Sequence, residues 1–178
     1  MTTQKMSYAD IKNRKKPVTK SITIALDPDL ATSYEAAKSA FEAADNYHKA
    51  SPDSKELKAA MTKAKREFDA ALEALQANSV EFWFKALSRE LVDEVIANNP
   101  PTKKQKEEAE DKGEEVQWNA DTFPPALIAA SLYEPDLTEE EVFEIWDSPD
   151  WNQAELMALF FLALEVNQTR KIVDIKKG

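Results

Sequence analysis

Two runs of apolar residues set the strongest pattern in the chain. Leu30, Tyr34, Ala37, Phe41, Ala44 and Tyr47 follow one another at intervals of 4, 3, 4, 3 and 3 residues. Leu57, Met61, Ala64, Phe68, Ala71 and Leu75 follow at 4, 3, 4, 3 and 4. Intervals alternating between three and four keep one face of an α-helix apolar. The pattern breaks at "HKASPDSK", where Ser51 or Ser54 can cap a new helix. Two helices of similar length joined by a short loop fold back on each other, which predicts an antiparallel coiled-coil hairpin. Alternating Ala with Phe or Tyr lets the helix axes approach while rings fill the gaps between them. Each arm is about 30 Å long at 1.5 Å per residue. Its other faces are charged, so the hairpin is expected to project into solvent, as a rigid spacer or as an arm that binds a partner.

The hairpin is bracketed by two segments of different period. In "SITIAL", Ile22, Ile24 and Leu26 alternate with polar or small residues, which is a strand signal. It stops at "DPDL", where Asp27 caps the first helix and Pro28 takes its first position. In "SVEFWF", Val80, Phe82 and Phe84 point one way and Trp83 the other, a strand with apolar character on both faces. The two strands are expected to pair antiparallel at the base of the hairpin. A two-stranded ribbon is not stable alone, so it must pack on the helices that follow. Two uses are open to Trp83: filling that core, or meeting a partner.

After Lys85 the chain reads as helical. "SRELVDEVIANNPP" is a short amphipathic helix with Leu87, Leu91, Val95 and Ile96 turned inward, ended by Pro100 and Pro101. "TKKQKEEAEDKGEE" has no apolar face and reads as a solvated linker or frayed helix. A helix starts at Asp121 or Thr122 with two prolines in its first turn and buries Phe123, Leu127, Ile128 and Leu132. Thr138 with Glu141, and Asn152 with Glu155, are capping pairs for two more helices. The last helix is apolar nearly all round from Leu156 to Val166, which predicts that it is the central helix of this half.

The resulting fold class is mainly α, with a two-stranded antiparallel β ribbon, a coiled-coil helical hairpin inserted between the strands, and a small helical domain. The divisions are a flexible basic arm over 1–19, the strand–hairpin–strand unit over 20–87, and the helical domain over 88–169. That domain includes the solvated linker at about 102–117, and a flexible tail covers 170–178.

Composition narrows the chemistry. The 178 residues carry a net charge of −10, yet the first twenty hold six basic side chains against Asp10 alone. An acidic body repels nucleic acid and anionic membrane and stays dispersed by self-repulsion. The basic arm is either a solvated terminus or a contact for phosphate. Only two glycines occur, so few joints can need positive φ, in keeping with helices joined by polar or proline-marked turns. With no cysteine and one histidine, His48, the chain lacks thiolate metal sites, cysteine nucleophiles and the usual triads. His48 reads as a solvated turn residue at the hairpin tip. Glu139, Glu140, Glu141, Glu144 and Asp147 are accounted for by the dipole of the helix they begin. No glycine-rich phosphate loop is present, and the four tryptophans are not interleaved with basic residues as single-strand stacking would require. The expectation is a non-enzymatic protein with no cofactor and no metal. No apolar run reaches the length of a membrane span and no signal segment is evident, which places it in the cytoplasm.

In order, the blocks "KKPVTKSITIALDPDL", the Ala/Glu/Lys-rich hairpin, "VEFWFKALSRELVDEVIANNPP", "WNADTFPPALIAASL", "PDLTEEEVFEIWD" and "WNQAELMALFFLALEVNQ" resemble the tail assembly chaperones of long-tailed (siphovirus) phages of actinobacteria. The resemblance covers roughly residues 15–170 and rests on the order and phrasing of the blocks, with no catalytic signature. It implies a protein that coats the aggregation-prone tape measure protein while tail-tube subunits polymerise around it. Such a protein works in the host cytoplasm and is absent from the mature virion. The partners implied are the tape measure protein, the tail-tube protein, further copies of the chain, and a longer form made by a ribosomal frameshift. Lys176-Lys177, in the basic tail "TRKIVDIKKG", is the kind of dipeptide an A-rich slippery run encodes. The candidate partner-binding residues are Phe82, Trp83, Phe84, Tyr34, Phe41 and Phe68. The alternative is a structural virion protein, of tail or connector, that uses the hairpin as an interlocking arm. An acidic nucleic-acid mimic ranks last, since lysines are mixed among its carboxylates.

Overall fold

The computed structural model describes residues 6–168. The tail over 170–178, with Lys176-Lys177, lies outside the described residues. Among those described, eight helices accompany three short strands, and the chain divides into two compact units, residues 23–81 and the remainder. The small sheet has the order β1 (Thr19–Ala25), β2 (Ser79–Lys85), β3 (Leu132–Glu134). The boundary between the units falls within β1 and β2.

Within residues 23–81 the chain forms α2 (Pro28–Ala50) and α3 (Lys55–Ala77), each of 23 residues. Asp27 caps α2 by accepting from the Asp29 N–H, with Pro28 in the first turn, and the Ser54 hydroxyl caps α3 by accepting from the Leu57 N–H. The two helices pack on each other through the apolar seams, with Ala64 buried between them. His48 is part of the last turn of α2 rather than of the turn that follows. It is half-buried, and its Nδ1 has no hydrogen-bond partner among the described residues. At the strand ends the Leu26 N–H donates to the Asn78 carbonyl at 2.8 Å.

The larger unit begins with α1 (Tyr8–Arg14), a short helix in the stretch expected to be unstructured. The reason is local. Ser7 and Asp10 form a reciprocal capping box, in which the Ser7 hydroxyl accepts from the Asp10 N–H and Asp10 accepts from the Ser7 N–H. No residue of α1 is buried. The Ala86 N–H donates to the Val18 carbonyl at 2.8 Å where β1 and β2 meet.

Helix α4 (Arg89–Asn98) is capped by Ser88 and stops before Pro100 and Pro101. Residues 103–112, read as a linker or frayed helix, form the ordered helix α5 (Lys103–Lys112) without a buried side chain. A Thr102/Gln105 capping box starts it, and Gly113 at φ 69° ends it in the left-handed conformation that glycine adopts without strain. Lys103 with Glu107, and Lys104 with Glu108, brace its exposed face one turn apart.

The core gathers around α6 (Phe123–Ser131), with α7 (Glu139–Asp147) and α8 (Gln153–Gln168) packed against it. Every residue from Phe123 to Ile128 is buried, so α6, not α8, is the central helix. Helix α8 buries Leu156, Leu159, Phe160, Ala163 and Val166 but leaves Phe161 exposed. Phe123 stacks on Trp118 at 4.5 Å and meets the edge of Phe160, while Phe82 meets Trp151 edge-on at 5.9 Å. The expected capping pairs of α7 and α8 form as hydrogen-bonded boxes.

Two expectations are corrected here. The ribbon has three strands, because α6 stops at Ser131 and Leu132–Glu134 pairs antiparallel with β2, Phe84 opposite Leu132 and Trp83 opposite Glu134. Pro135 opposes continuation of the helix through this stretch, since it disfavours helix at Glu134 and offers no N–H to the Ser131 carbonyl. The second correction concerns Leu91, expected inward on α4 and found 48% exposed.

Candidate interaction surfaces

The six candidate partner-binding residues fall into two groups. Tyr34, Phe41 and Phe68 come together between α2 and α3, with the Phe68 ring 5.6 Å from each of the other two. Lys38 lies over the Tyr34 ring at 5.9 Å and Lys65 over Phe41 at 6.0 Å. Lys65 also forms a 2.9 Å ion pair with Asp69. The three rings are half-buried and spend their contacts on one another, so this cluster is the seam of the helix pair.

The second group lies on β2 and is split by strand alternation. Phe82 and Phe84 are buried at 3% and 0% exposure and present no surface to a partner. Trp83 points to the opposite face, half-buried, with its ring 6.4 Å from that of Tyr133 on β3. Tyr133 is itself exposed. Of the three β2 aromatics, Trp83 alone is offered outward.

A third surface was not read from the sequence. Between α4 and α6 runs an open groove of about 400 Å³, lined by Leu87, Leu91 and Val95 on one side and by Ala126, Ala129 and Ala130 on the other. The spacing of Leu87, Leu91 and Val95 puts all three on one face of the chain entering and forming α4. Opposite them α6 offers only methyl groups, so the space between the helices is left unfilled. Glu94 and Glu139 line the same groove, and neither forms an ion pair among the described residues. Glu139 opens α7, where the helix dipole favours a carboxylate. The sequence signal that marks this groove is the run of small residues on α6, which becomes informative only when its partner helix is known.

Among the described residues no cluster of three or more His, Asp or Glu side chains is placed to hold a metal ion, and no helix is long and apolar enough to cross a membrane. No family model matches the chain, and no curated protein and no solved structure matches it.

Proposed function

We propose that this chain is a non-enzymatic assembly chaperone for a long phage tail. It binds the tape measure protein, keeps it soluble, and promotes polymerisation of the tail tube around it in the host cytoplasm, without entering the mature virion. The reading starts from the order of sequence blocks that resembles the tail assembly chaperones. One structural observation supports it above the others: the Trp83–Tyr133 pair stands at the surface of a strongly acidic chain. A holdase needs apolar surface to grip its client and like charge to keep the loaded complex dispersed. In this account Trp83 and Tyr133 grip the client, α2 and α3 form an antiparallel coiled-coil arm, and Phe82, Phe84, Tyr34, Phe41 and Phe68 hold the scaffold together.

Co-expression with the tape measure protein tests the reading. The expected outcome is a several-fold rise in soluble tape measure protein and co-purification of the two chains. Unchanged yield with no co-purification removes the proposal. Mass spectrometry of purified particles separates it from the structural virion reading, in which this chain persists at high copy number.

A further inference from the structure

Helix α1 and the α4–α6 groove have complementary chemistry, and among the described residues neither is covered within one chain. Tyr8 and Ile11 lie three residues apart on α1, and Met6 precedes its cap at the position that packs toward Ile11. Met6, Tyr8 and Ile11 are 55%, 80% and 55% exposed. Lys12, Arg14, Lys15 and Lys16 follow directly, and all four are exposed. The helix is thus an apolar knob with a basic flank, ordered by its capping box yet burying nothing. The groove is its counterpart: two leucines, a valine and a floor of alanines, with Glu94 and Glu139 along it and Asn98 and Asn99 at the end of α4. The ten residues of α4 give it a length of about 15 Å, which suits a helix of two turns.

We infer that the α1 helix of one copy seats in the α4–α6 groove of a second copy. Tyr8 and Ile11 cover Leu91 and the alanine floor, and the basic residues after Ile11 meet Glu94 and Glu139. The donor and acceptor surfaces differ, so the contact is heterologous: each copy that gives its α1 still offers an open groove. Unless two copies exchange α1 reciprocally, such a contact builds a row of copies rather than a closed dimer. A short helix in a groove buries less than a standard interface, so the row is expected to assemble and disperse with concentration. The net charge of −10 opposes stacking, so the local attraction of the basic segment for the acidic groove sets the register. The inference is independent of the client's identity, but a row of copies would let one chaperone cover a long client.

The absence of cysteine from the sequence makes a direct test available. Ile11→Cys and Leu91→Cys both fall at exposed positions, so each variant should fold as the parent does. Mixed under mild oxidation, the two single variants are expected to give a disulfide-linked dimer faster than either alone and faster than Ile11→Cys with an Arg66→Cys control on α3. The double variant should give a ladder of linked chains. A double variant that stays monomeric with an internal disulfide assigns the groove to the chain's own α1 and overturns the proposal. Equal rates for the Leu91 and Arg66 partners overturn it as well. Sedimentation supplies the second readout. Glu94→Lys with Glu139→Lys should weaken self-association about tenfold, and copies carrying Lys12→Glu and Arg14→Glu should restore it when mixed with them. Self-association unchanged by the charge reversals contradicts the inference.

Discussion

The Asn167 side chain accepts a 2.8 Å hydrogen bond from the Leu87 backbone N–H, 80 residues earlier in the chain. Its amide nitrogen donates to the Ser131 hydroxyl at 3.0 Å and to the Ala163 carbonyl at 2.8 Å. One amide therefore ties the exit of β2, the end of α6 and the last turn of α8. Ser131 is 1% exposed, so its hydroxyl relies on the Asn167 amide for this bond. Asn167→Ala strands that hydroxyl and the Leu87 N–H, at a cost of about 2–3 kcal/mol. The check is a lower urea midpoint with an unchanged denaturant slope.

Strand alternation on β2 makes a second prediction. Phe84→Ala removes a fully buried ring and should cost about 3–5 kcal/mol, with Phe82→Ala close behind. Trp83→Ala, on the half-buried face, should cost about 1–2 kcal/mol despite the larger side chain. Denaturation of the three variants side by side gives the order. A Trp83 variant as unstable as the Phe84 variant would place Trp83 in the core and remove it as a client contact.

Phe68→Ala tests the helix pair. The substitution deletes the ring that contacts both Tyr34 and Phe41, and should cost about 3 kcal/mol. Its readout is faster proteolysis within α2 and α3, while the near-ultraviolet circular dichroism signal of the tryptophans, all outside residues 28–77, is retained.

Acid should release the cap of α1. Hydrogen bonds from the Ser7 hydroxyl and Ser7 N–H hold the Asp10 carboxyl below the ordinary carboxylate range. A lowered folded-state value means the cap contributes fully above the ordinary value, about 4, and is lost as pH falls through the depressed one. Amide shifts of Ala9 to Ile11 should therefore move toward coil values on acidification. In Asp10→Ala they should be coil-like at every pH.

Much of this architecture was legible in local signals. The heptad intervals place α2 and α3, Asp27 and Thr138 mark helix starts as capping side chains, Ser54 is one of the two serines offered for the start of α3, and alternation in "SVEFWF" separates Trp83 from its neighbours. The Ser7/Asp10 box was equally local but sits in a stretch without apolar periodicity, so no core-facing pattern drew attention to it. The third strand was hidden for a different reason: three residues are too few to show a period of two, and their pairing is with a strand about fifty residues away. Leu91 shows the limit most plainly. Its spacing on α4 reads as inward, yet whether an inward position is filled depends on the opposing helix, and α6 presents alanines there. Composition indicates the apolar face; only the tertiary arrangement reveals that it is left open.

The central claim is that this chain holds an aggregation-prone client in solution through its outward aromatic pair. Light scattering from purified tape measure protein, diluted from denaturant with and without this chain, tests it most directly. Wild-type protein is predicted to suppress scattering at about equimolar or higher ratios, and a Trp83→Ser/Tyr133→Ser variant to lose that protection while keeping its helical circular dichroism. Undiminished scattering with the wild-type chain in excess would contradict the account.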